Sequence, residues 1–297
     1  MAKDVIAGSL RPIFSIIIPC YNEENAIRGT VEQILRHVGA EDDYEIIVVD
    51  DGSDDQTPAV LDEIYTASPK IRVMTHQRNL GYGAALKTGI RAARSELIVI
   101  TDADGTYPNE QIPDLVRRCQ DQDMVVGART GENVTYSKIR SIPKFFLKRW
   151  VCWLAAQDVP DINSGLRVFR KDVAERYFGI LSDKFSFTIT ITLAMLTNYH
   201  RVLFVPIDYH TRVGKSKIRP IRDTMRFSML ILRTGIYFAP MRAFMPIFLL
   251  LIVPAIASLV YDVFVYRDLT EKTLLLFLFA LNVGMFSLLA DMIDKRT

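Results

Sequence analysis

Hydrophobic positions fall into two regimes along the chain. Up to about residue 240, short apolar runs alternate with amphipathic stretches, while the last 55 or so residues are dominated by Leu, Ile, Val, Phe and Ala. In the first regime, Phe14–Pro19 is a β-branched run closed by proline, which predicts a buried parallel strand. Residues 22–37 then place Ile27, Val31, Ile34 and Leu35 at helical spacing. Further strands are predicted at Tyr44–Val49, Ile71–Met74, Leu97–Ile100 and Met124–Val126, with helices over Thr57–Ala67 and Gly83–Arg94. Strands alternating with helices imply βαβ units and a mainly parallel sheet, an α/β fold. Ligands of such sheets gather beyond the carboxyl ends of the strands. Three of the runs end in polar clusters, Tyr21-Asn22-Glu23, Asp50-Asp51 and Asp102/Asp104, so three strand ends deliver polar groups to one rim.

The second regime predicts two membrane spans. The first, 244–266, holds a single acidic residue, Asp262; in the second, 273–291, the stretch Leu274–Ala290 is interrupted only by Asn282, Gly284 and Ser287. Each approaches the roughly 20 helical residues that cross a bilayer core. The joining residues 267–272 carry four charges, so the pair reads as a hairpin returning the chain to its starting side. A buried hairpin of a soluble protein is the competing reading. Arg233, Arg242, Lys295 and Arg296 lie outside the spans and put residues 1–220 on the cytosolic side. Met1–Arg11 has no apolar core of a signal peptide, in keeping with that placement. Two mixed segments, 136–156 and 221–240, set Lys and Arg among Phe, Trp, Met and Leu. They read as amphipathic helices at the membrane interface, the second juxtamembrane, with packing on the protein's own core as the alternative.

Composition adds mostly exclusions. A net charge of +2 gives no case for nucleic-acid binding. Cys20, Cys119 and Cys152 lack metal-ligand spacing and read as reduced thiols.

The chemistry concentrates in the acidic clusters. Asp102-Ala103-Asp104 closes a strand on the same rim as Asp50-Asp51. Hard divalent ions, Mg²⁺ or Mn²⁺, take carboxylate and phosphate oxygens together. Such an ion neutralises a leaving diphosphate, which cleavage of a nucleotide-sugar requires.

Six motifs then occur in order. They are the Phe14–Pro19 strand with Tyr21-Asn22-Glu23-Glu24, Val48-Val-Asp50-Asp51-Gly52-Ser53, Asn79-Leu-Gly81-Tyr-Gly83, Asp102-Ala-Asp104, Asp161-Ile-Asn-Ser164-Gly165-Leu-Arg167 and Arg212-Val-Gly214-Lys-Ser216-Lys217. This series resembles the GT-A glycosyltransferases of family 2, and within them the dolichol-phosphate mannose synthases and bacterial polyprenyl-phosphate glycosyltransferases. The resemblance covers residues 12 to 240 and the two-span tail.

It implies a Rossmann-like GT-A fold and an inverting, metal-dependent transfer of a hexose from a nucleotide-sugar (UDP-glucose or GDP-mannose type) to undecaprenyl or dolichyl phosphate. The bacterial look of the tail tips the donor towards a UDP-hexose. By the same resemblance Pro19, Tyr21, Asn22, Glu23, Val48, Asp50, Asp51, Asp102 and Ala103 hold the donor nucleotide, and Asp102 and Asp104 hold the metal. Thr106 stands where relatives often carry Gln. Arg129, Ser164, Arg167, Ser216 and Lys217 meet phosphate or acceptor, Ser164 and Arg167 alternatively fixing their loop. Asp104, Asp161 and Arg212 form the catalytic set. A lipid phosphate is already anionic, so its attack needs positioning and charge stabilisation more than proton removal. Asp161 is therefore assigned to positioning, with base catalysis as the alternative. The resemblance further implies a tetramer in a bacterial inner membrane, or in the endoplasmic reticulum of a eukaryote.

Three rivals fare worse. A processive polysaccharide synthase needs Gln-x-x-Arg-Trp, whereas Arg149-Trp150 follows Phe146 and precedes Asp161. A nucleotidyltransferase needs a Gly-rich basic N-terminal loop that is absent. A non-catalytic membrane scaffold has no reason to keep both the acidic and the basic sets. Of the histidines, His37 and His200 read as structural, while His76 and His210 adjoin loops that face donor or phosphate.

Overall fold

The computed structural model describes residues 13–38, 43–130, 141–184, 186–210, 229 and 232–294. The chain forms two compact units, residues 1–138, 160–195 and 199–218 in the first and 139–159, 196–198 and 219–297 in the second.

The first unit is built on a seven-stranded sheet. Its strands are β1 (Phe14–Cys20), β2 (Tyr44–Asp50), β3 (Ile71–Thr75), β4 (Leu97–Ile100), β5 (Met124–Ala128), β6 (Arg167–Arg170) and β7 (Val202–Pro206), in the order β3-β2-β1-β4-β6-β5-β7. Only β6 runs against its neighbours, so the sheet is mainly parallel as expected. Every residue of β1 and β2 is buried, because helices cover both faces. Alternate residues serve opposite layers. Ile16, Ile18, Ile46 and Val48 pack with α1 (Ile27–His37), α2 (Thr57–Ala67) and α4 (Ile112–Arg118). Ile17, Ile47 and Val49 pack with α3 (Tyr82–Ala92) and α7 (Phe187–Thr197). A short helix α6 (Lys171–Arg176) follows β6 directly.

Register brings the functional ends level. Cys20 of β1 pairs with Asp50 of β2, and Asp50 with Thr75 of β3. On the other side Ile17 pairs with Ile100, the last residue of β4. The polar clusters that follow these strands therefore share one rim.

α3 begins where the chain must come very close to another segment. A Cβ on Gly83 would lie 2.0 Å from the Ser182 carbonyl oxygen, and Gly81 takes a φ of +114° against Asp183. Lys87 reaches over the same stretch to the Asp183 carboxylate at 2.7 Å. The Gly-Tyr-Gly motif is thus a packing device.

The second unit carries α5 (Ser141–Ala155), a helical segment over 232–238, α8 (Pro240–Tyr261) and α9 (Glu271–Asp294). Trp153 Nε1 donates to the Arg242 carbonyl at 2.9 Å, and Arg242 donates to the Leu154 carbonyl at 2.7 Å. Gly235 packs directly on Leu154. The mixed segments of the sequence are therefore helical where described. Residues 131–140 and 221–228 lie outside the described residues.

Helix α8 starts at Pro240, earlier than the expected 244, since a first-turn proline and Met241-Arg242 extend it beyond the apolar run. It continues as a π-helical turn over Asp262–Tyr266, and Arg267 at φ 53° reverses the chain into α9. Pro240–Tyr266 and Glu271–Ile293 are 27 and 23 residues long and contain 18-residue stretches of mean hydropathy 2.6 and 2.2, long and apolar enough to cross a membrane. Their apolar side chains face outward: Leu250 is 73% exposed and Phe264 80%. The tip is polar inside. Asp262 accepts hydrogen bonds from Thr270 N (2.9 Å), Thr270 Oγ1 (2.6 Å) and Thr273 Oγ1 (2.7 Å), and Ser258 bonds Thr273 at 2.6 Å.

Candidate active site

The rim of the first unit carries the site. Its β1–β2 side is zipped from within. Asn22, at φ 54°, shares two hydrogen bonds with Asp54, and its N–H donates to Ser53 Oγ at 3.0 Å. Ser53 in turn caps Asp50 Oδ1 through both its N–H (3.0 Å) and its hydroxyl (2.6 Å). Glu23 N–H donates to Thr57 Oγ1 at 3.0 Å. Pro19 is buried at the end of β1, while Tyr21, Asn22 and Glu23 are half-buried beyond it. Val48 is wholly buried inside β2, in the core beneath the rim.

Asp51 is committed differently. Its carboxylate accepts Leu80 N–H at 2.9 Å and Gly81 N–H at 2.8 Å, and meets His76 Nδ1 at 2.7 Å. His76 Nε2 bonds Thr88 Oγ1 at 2.9 Å. Asp51 and His76 together pin the 79–81 loop and the start of α3 to the end of β2. Thr75, His76, Gln77, Arg78 and Leu80 line a cleft of about 570 Å³ beside it.

On the β4 side stand Asp102 and Asp104. Tyr82, at the start of α3, donates its phenol to Asp102 Oδ1 at 2.9 Å. From another direction Gly165 presses on the same carboxylate: a Cβ there would lie 2.6 Å from Asp102 Oδ2. Gly165 N–H donates to the Tyr107 hydroxyl at 2.6 Å, which fixes that approach. Asp104 Oδ1 accepts from Thr106 Oγ1 at 2.6 Å and from Thr106 N at 3.2 Å. Thr106, at the position of the relatives' Gln, thus orients the second acid. Between the pair, the Ala103 carbonyl is held by Thr30 Oγ1 at 3.0 Å. Burial, and then the charge of Asp102, push the Tyr82 phenol well above its ordinary pKa, and burial raises Tyr107 likewise. Both tyrosines stay protonated.

Asp161 and Arg129 form the next layer. Arg129 grips Asp161 through Nε at 2.7 Å, Nη2 at 3.0 Å and its own N–H at 3.1 Å, with Asn163 N adding a fourth bond at 3.0 Å. Burial alone would raise the Asp161 pKa, yet these bonds and the Arg129 charge bring it below the ordinary carboxylate range. Arg129 also lies over the Tyr209 ring, 5.3 Å from its centroid.

Ser164 and Arg167 are both wholly buried. Arg167 donates to the Ser164 carbonyl, to the Thr188 carbonyl at 3.1 Å and to Thr192 Oγ1 at 2.8 Å, so it ties the 161–165 loop to α7. Among the described residues no carboxylate is its hydrogen-bond partner, and burial draws its pKa down to about 10. These contacts hold the 161–165 loop in place. Ser164 Oγ is the one buried side-chain oxygen among the described residues without a hydrogen-bond partner.

The structure therefore brings Asp50, Asp51, Asp102, Ala103, Asp104, Arg129, Asp161 and the Tyr21–Glu23 loop to one rim. Arg212, Ser216 and Lys217 lie outside the described residues. Tyr82 and Tyr107 were missing from the sequence-based set, although the Gly81-Tyr-Gly83 motif displayed the first of them. His200 is a fold contact, bonded to Tyr177 at 2.8 Å and 3.5 Å from Asp123.

A divalent ion fits this donor set in kind. Two carboxylates one residue apart, each oriented by a neighbouring hydroxyl, offer the hard oxygens that Mg²⁺ or Mn²⁺ takes. Among the described residues no group of three acidic, His or Cys side chains converges.

Sheet order and rim together define a fold of GT-A type. Residues 15–178, more than half of the chain, match the family described as Glycosyl transferase family 2, and the chain belongs to it. Residues 239–295 match the GtrB C-terminal hairpin. Among curated proteins, glycosyltransferase AglD of Haloferax volcanii is 29% identical over 229 residues, covering 74% of this chain and 36% of AglD. The dolichol-phosphate mannosyltransferase of Pyrococcus furiosus is 29% identical over 213 residues, covering 69% of this chain and 59% of that protein. The chain thus spans about a third and three-fifths of these relatives. Among solved structures, glucosyl-3-phosphoglycerate synthase of Mycobacterium tuberculosis superposes with a TM-score of 0.56 at 18% identity, over 78% of each chain.

Proposed function

We propose that this chain transfers a hexose from a nucleotide-diphosphate sugar to the phosphate of a membrane polyprenyl lipid, with inversion at the anomeric carbon. The carrying observation is the Arg129–Asp161 pair beside the Asp102/Asp104 acids. The arrangement supplies electrostatics and positioning, and among the described residues it offers no side chain set up as a strong base. Asp161, held by two guanidinium nitrogens and two backbone amides, is a weak proton acceptor. That suits an acceptor that arrives deprotonated. A sugar hydroxyl would need a base. The relatives named for dolichyl and undecaprenyl phosphate transfer support the same acceptor class.

In this reading Asp50 and the 21–23 loop hold the nucleoside, with Asp51 bracing the loop behind it. Asp102 and Asp104 would hold Mg²⁺ or Mn²⁺, which supplies charge neutralisation for the leaving diphosphate. Arg129, with Arg212, Ser216 and Lys217 of the basic segment, offsets the acceptor phosphate; guanidinium groups suit such oxygens because they bind two at once. Residues 1–220 form the cytosolic catalytic unit, 221–240 a juxtamembrane segment, and the 244–266 and 273–291 spans the anchor. A UDP-hexose is the favoured donor.

A second reading keeps the transferase and changes the acceptor to a polysaccharide or glycolipid. Detergent-purified protein with polyprenyl phosphate and labelled UDP- and GDP-sugars separates the two. Label entering the organic phase from one donor, abolished by EDTA, supports the lipid-phosphate reading. Turnover of a donor with no label in lipid phosphate sinks it.

A further inference from the structure

We propose that Tyr82 is a positioning residue for the metal–diphosphate site, acting by holding one oxygen of Asp102 so that the carboxylate presents a fixed face. The inference rests on the transferase reading above and adds to it a residue outside the acidic motif.

Three observations meet at Asp102. The Tyr82 phenol donates to Oδ1 at 2.9 Å. Gly165 closes on the carboxylate so tightly that even a methyl group there would stand 2.6 Å from Oδ2 and 2.8 Å from Oδ1. Gly165 is itself held by the 2.6 Å bond from its N–H to Tyr107. A carboxylate contacted on two sides has little rotational freedom left, and a metal ligand fixed before binding loses less on ordering. Hydroxyl donors that orient metal-binding carboxylates are the usual outer partners of such ligands.

Tyr82 is also rigidly placed. It opens α3, whose first turn is anchored by Gly81 N–H on Asp51 at 2.8 Å and by Ala84 N–H on the Asp183 carbonyl at 2.9 Å. Gly83 cannot carry a side chain against Ser182. The phenol therefore reaches Asp102 from a helix end that cannot shift without breaking several contacts. Asp51, on the β2 side of the rim, is thereby linked through one helix start to Asp102 on the β4 side. That linkage gives the Gly-Tyr-Gly motif a functional as well as a packing role.

The test uses the full chain in detergent with Mn²⁺ and UDP or GDP, read by Mn²⁺ electron paramagnetic resonance. Tyr82→Phe keeps the ring and removes the hydroxyl. About tenfold weaker Mn²⁺ binding in the nucleotide complex is expected, the usual cost of losing an outer partner of a ligand. Nucleotide affinity without metal and thermal stability should stay near wild type. Tyr177→Phe, which removes a phenol bonded to His200 away from this site, should leave Mn²⁺ binding unchanged. In turnover the loss should appear in the KM for metal-bound donor and be partly overcome by excess Mn²⁺. Equal Mn²⁺ binding by wild type and Tyr82→Phe overturns the role of Tyr82 alone. Wild-type protein that binds no Mn²⁺ with either nucleotide overturns the metal site as well.

Discussion

The two units use the same apolar residues against opposite surroundings. In the sheet unit Ile16, Ile17, Ile46 and Ile47 are wholly buried, and polar groups surface together at one rim. In the hairpin the order is inverted: Leu250, Phe264 and Phe286 point outward, and the polar Asp262, Thr270 and Thr273 turn inward on one another. Such a hairpin suits a medium that cannot satisfy polar atoms, and the sheet unit one that can. Polar residues of the first unit gather at the rim or brace the fold away from it, and those at the hairpin tip close the turn.

The largest break in that contrast comes from the rim. Asp104→Asn keeps the Thr106 bonds to Oδ1 and removes one charge. Transfer of label into lipid should fall on the order of 10²–10³-fold, the loss seen when a preorganised electrostatic group is removed. The melting transition should hardly move.

Next is the outer face of the hairpin. Leu250→Lys puts a charge on a position that is 73% exposed. A soluble surface would tolerate it within about 0.5 kcal/mol. In a bilayer the same change costs about 2.5–3.5 kcal/mol near the centre of a span. An insertion assay on α8 should show the larger penalty, while Tyr65→Lys in the sheet unit, at 57% exposure, should leave denaturant stability nearly unchanged. Equal, small effects would make the hairpin a soluble feature.

A third change tests the polar tip. Asp262→Ala strands the Thr270 N–H and takes the carboxylate acceptor from two threonine hydroxyls. A loss of about 1–3 kcal/mol in hairpin stability is expected from the unpaired donors. Protease cleavage at residues 262–270 should report it, with transfer activity much less affected.

What the chain displays and what it hides follows the same physics. Strands β1 to β5 were legible because each is an apolar run bounded by polar or turn residues. β6 was not, since Arg167 and Arg170 flank only Val168 and Phe169, and the charge of Arg167 is buried by carbonyls from elsewhere in the chain. β7, Val-Leu-Phe-Val-Pro, is an apolar run of the same kind as β1 to β5. Helix α7 hides for another reason. Phe187-Thr-Ile-Thr-Ile-Thr alternates with a period of two, yet it is helical because it is buried all round. Thr190 and Thr192 return their hydroxyls to carbonyls four residues back, at 3.0 and 2.7 Å. At the site, the acids and basic residues stood out as types. The pairing of Arg129 with Asp161, and the approach of Tyr82 and Gly165 to Asp102, depend on how β4, β6 and α3 meet, which no local pattern encodes.

The smallest effect lies at the opposite end of the sheet from the rim, where a buried carboxylate has no part in binding. Glu45 accepts bonds from Ser15 Oγ at 2.8 Å, Arg94 N–H at 2.7 Å and Arg72 at 2.8 Å. Burial pushes its pKa up, but these donors and the Arg72 charge outweigh it and leave the value below the usual 4.5. A carboxyl with a depressed folded pKa adds stability above its unfolded pKa and loses it as pH falls through the folded value. Glu45→Gln, uncharged throughout, should therefore be less stable than wild type at pH 7 by about 1 kcal/mol. The gap should close below the ordinary value of 4.5. Denaturant melts at neutral and acid pH measure it, and a gap that widens in acid would reverse the sign assigned to this network. Transfer activity at pH 7 should be the same in both proteins, because here, unlike at the rim, the buried charge serves the fold alone.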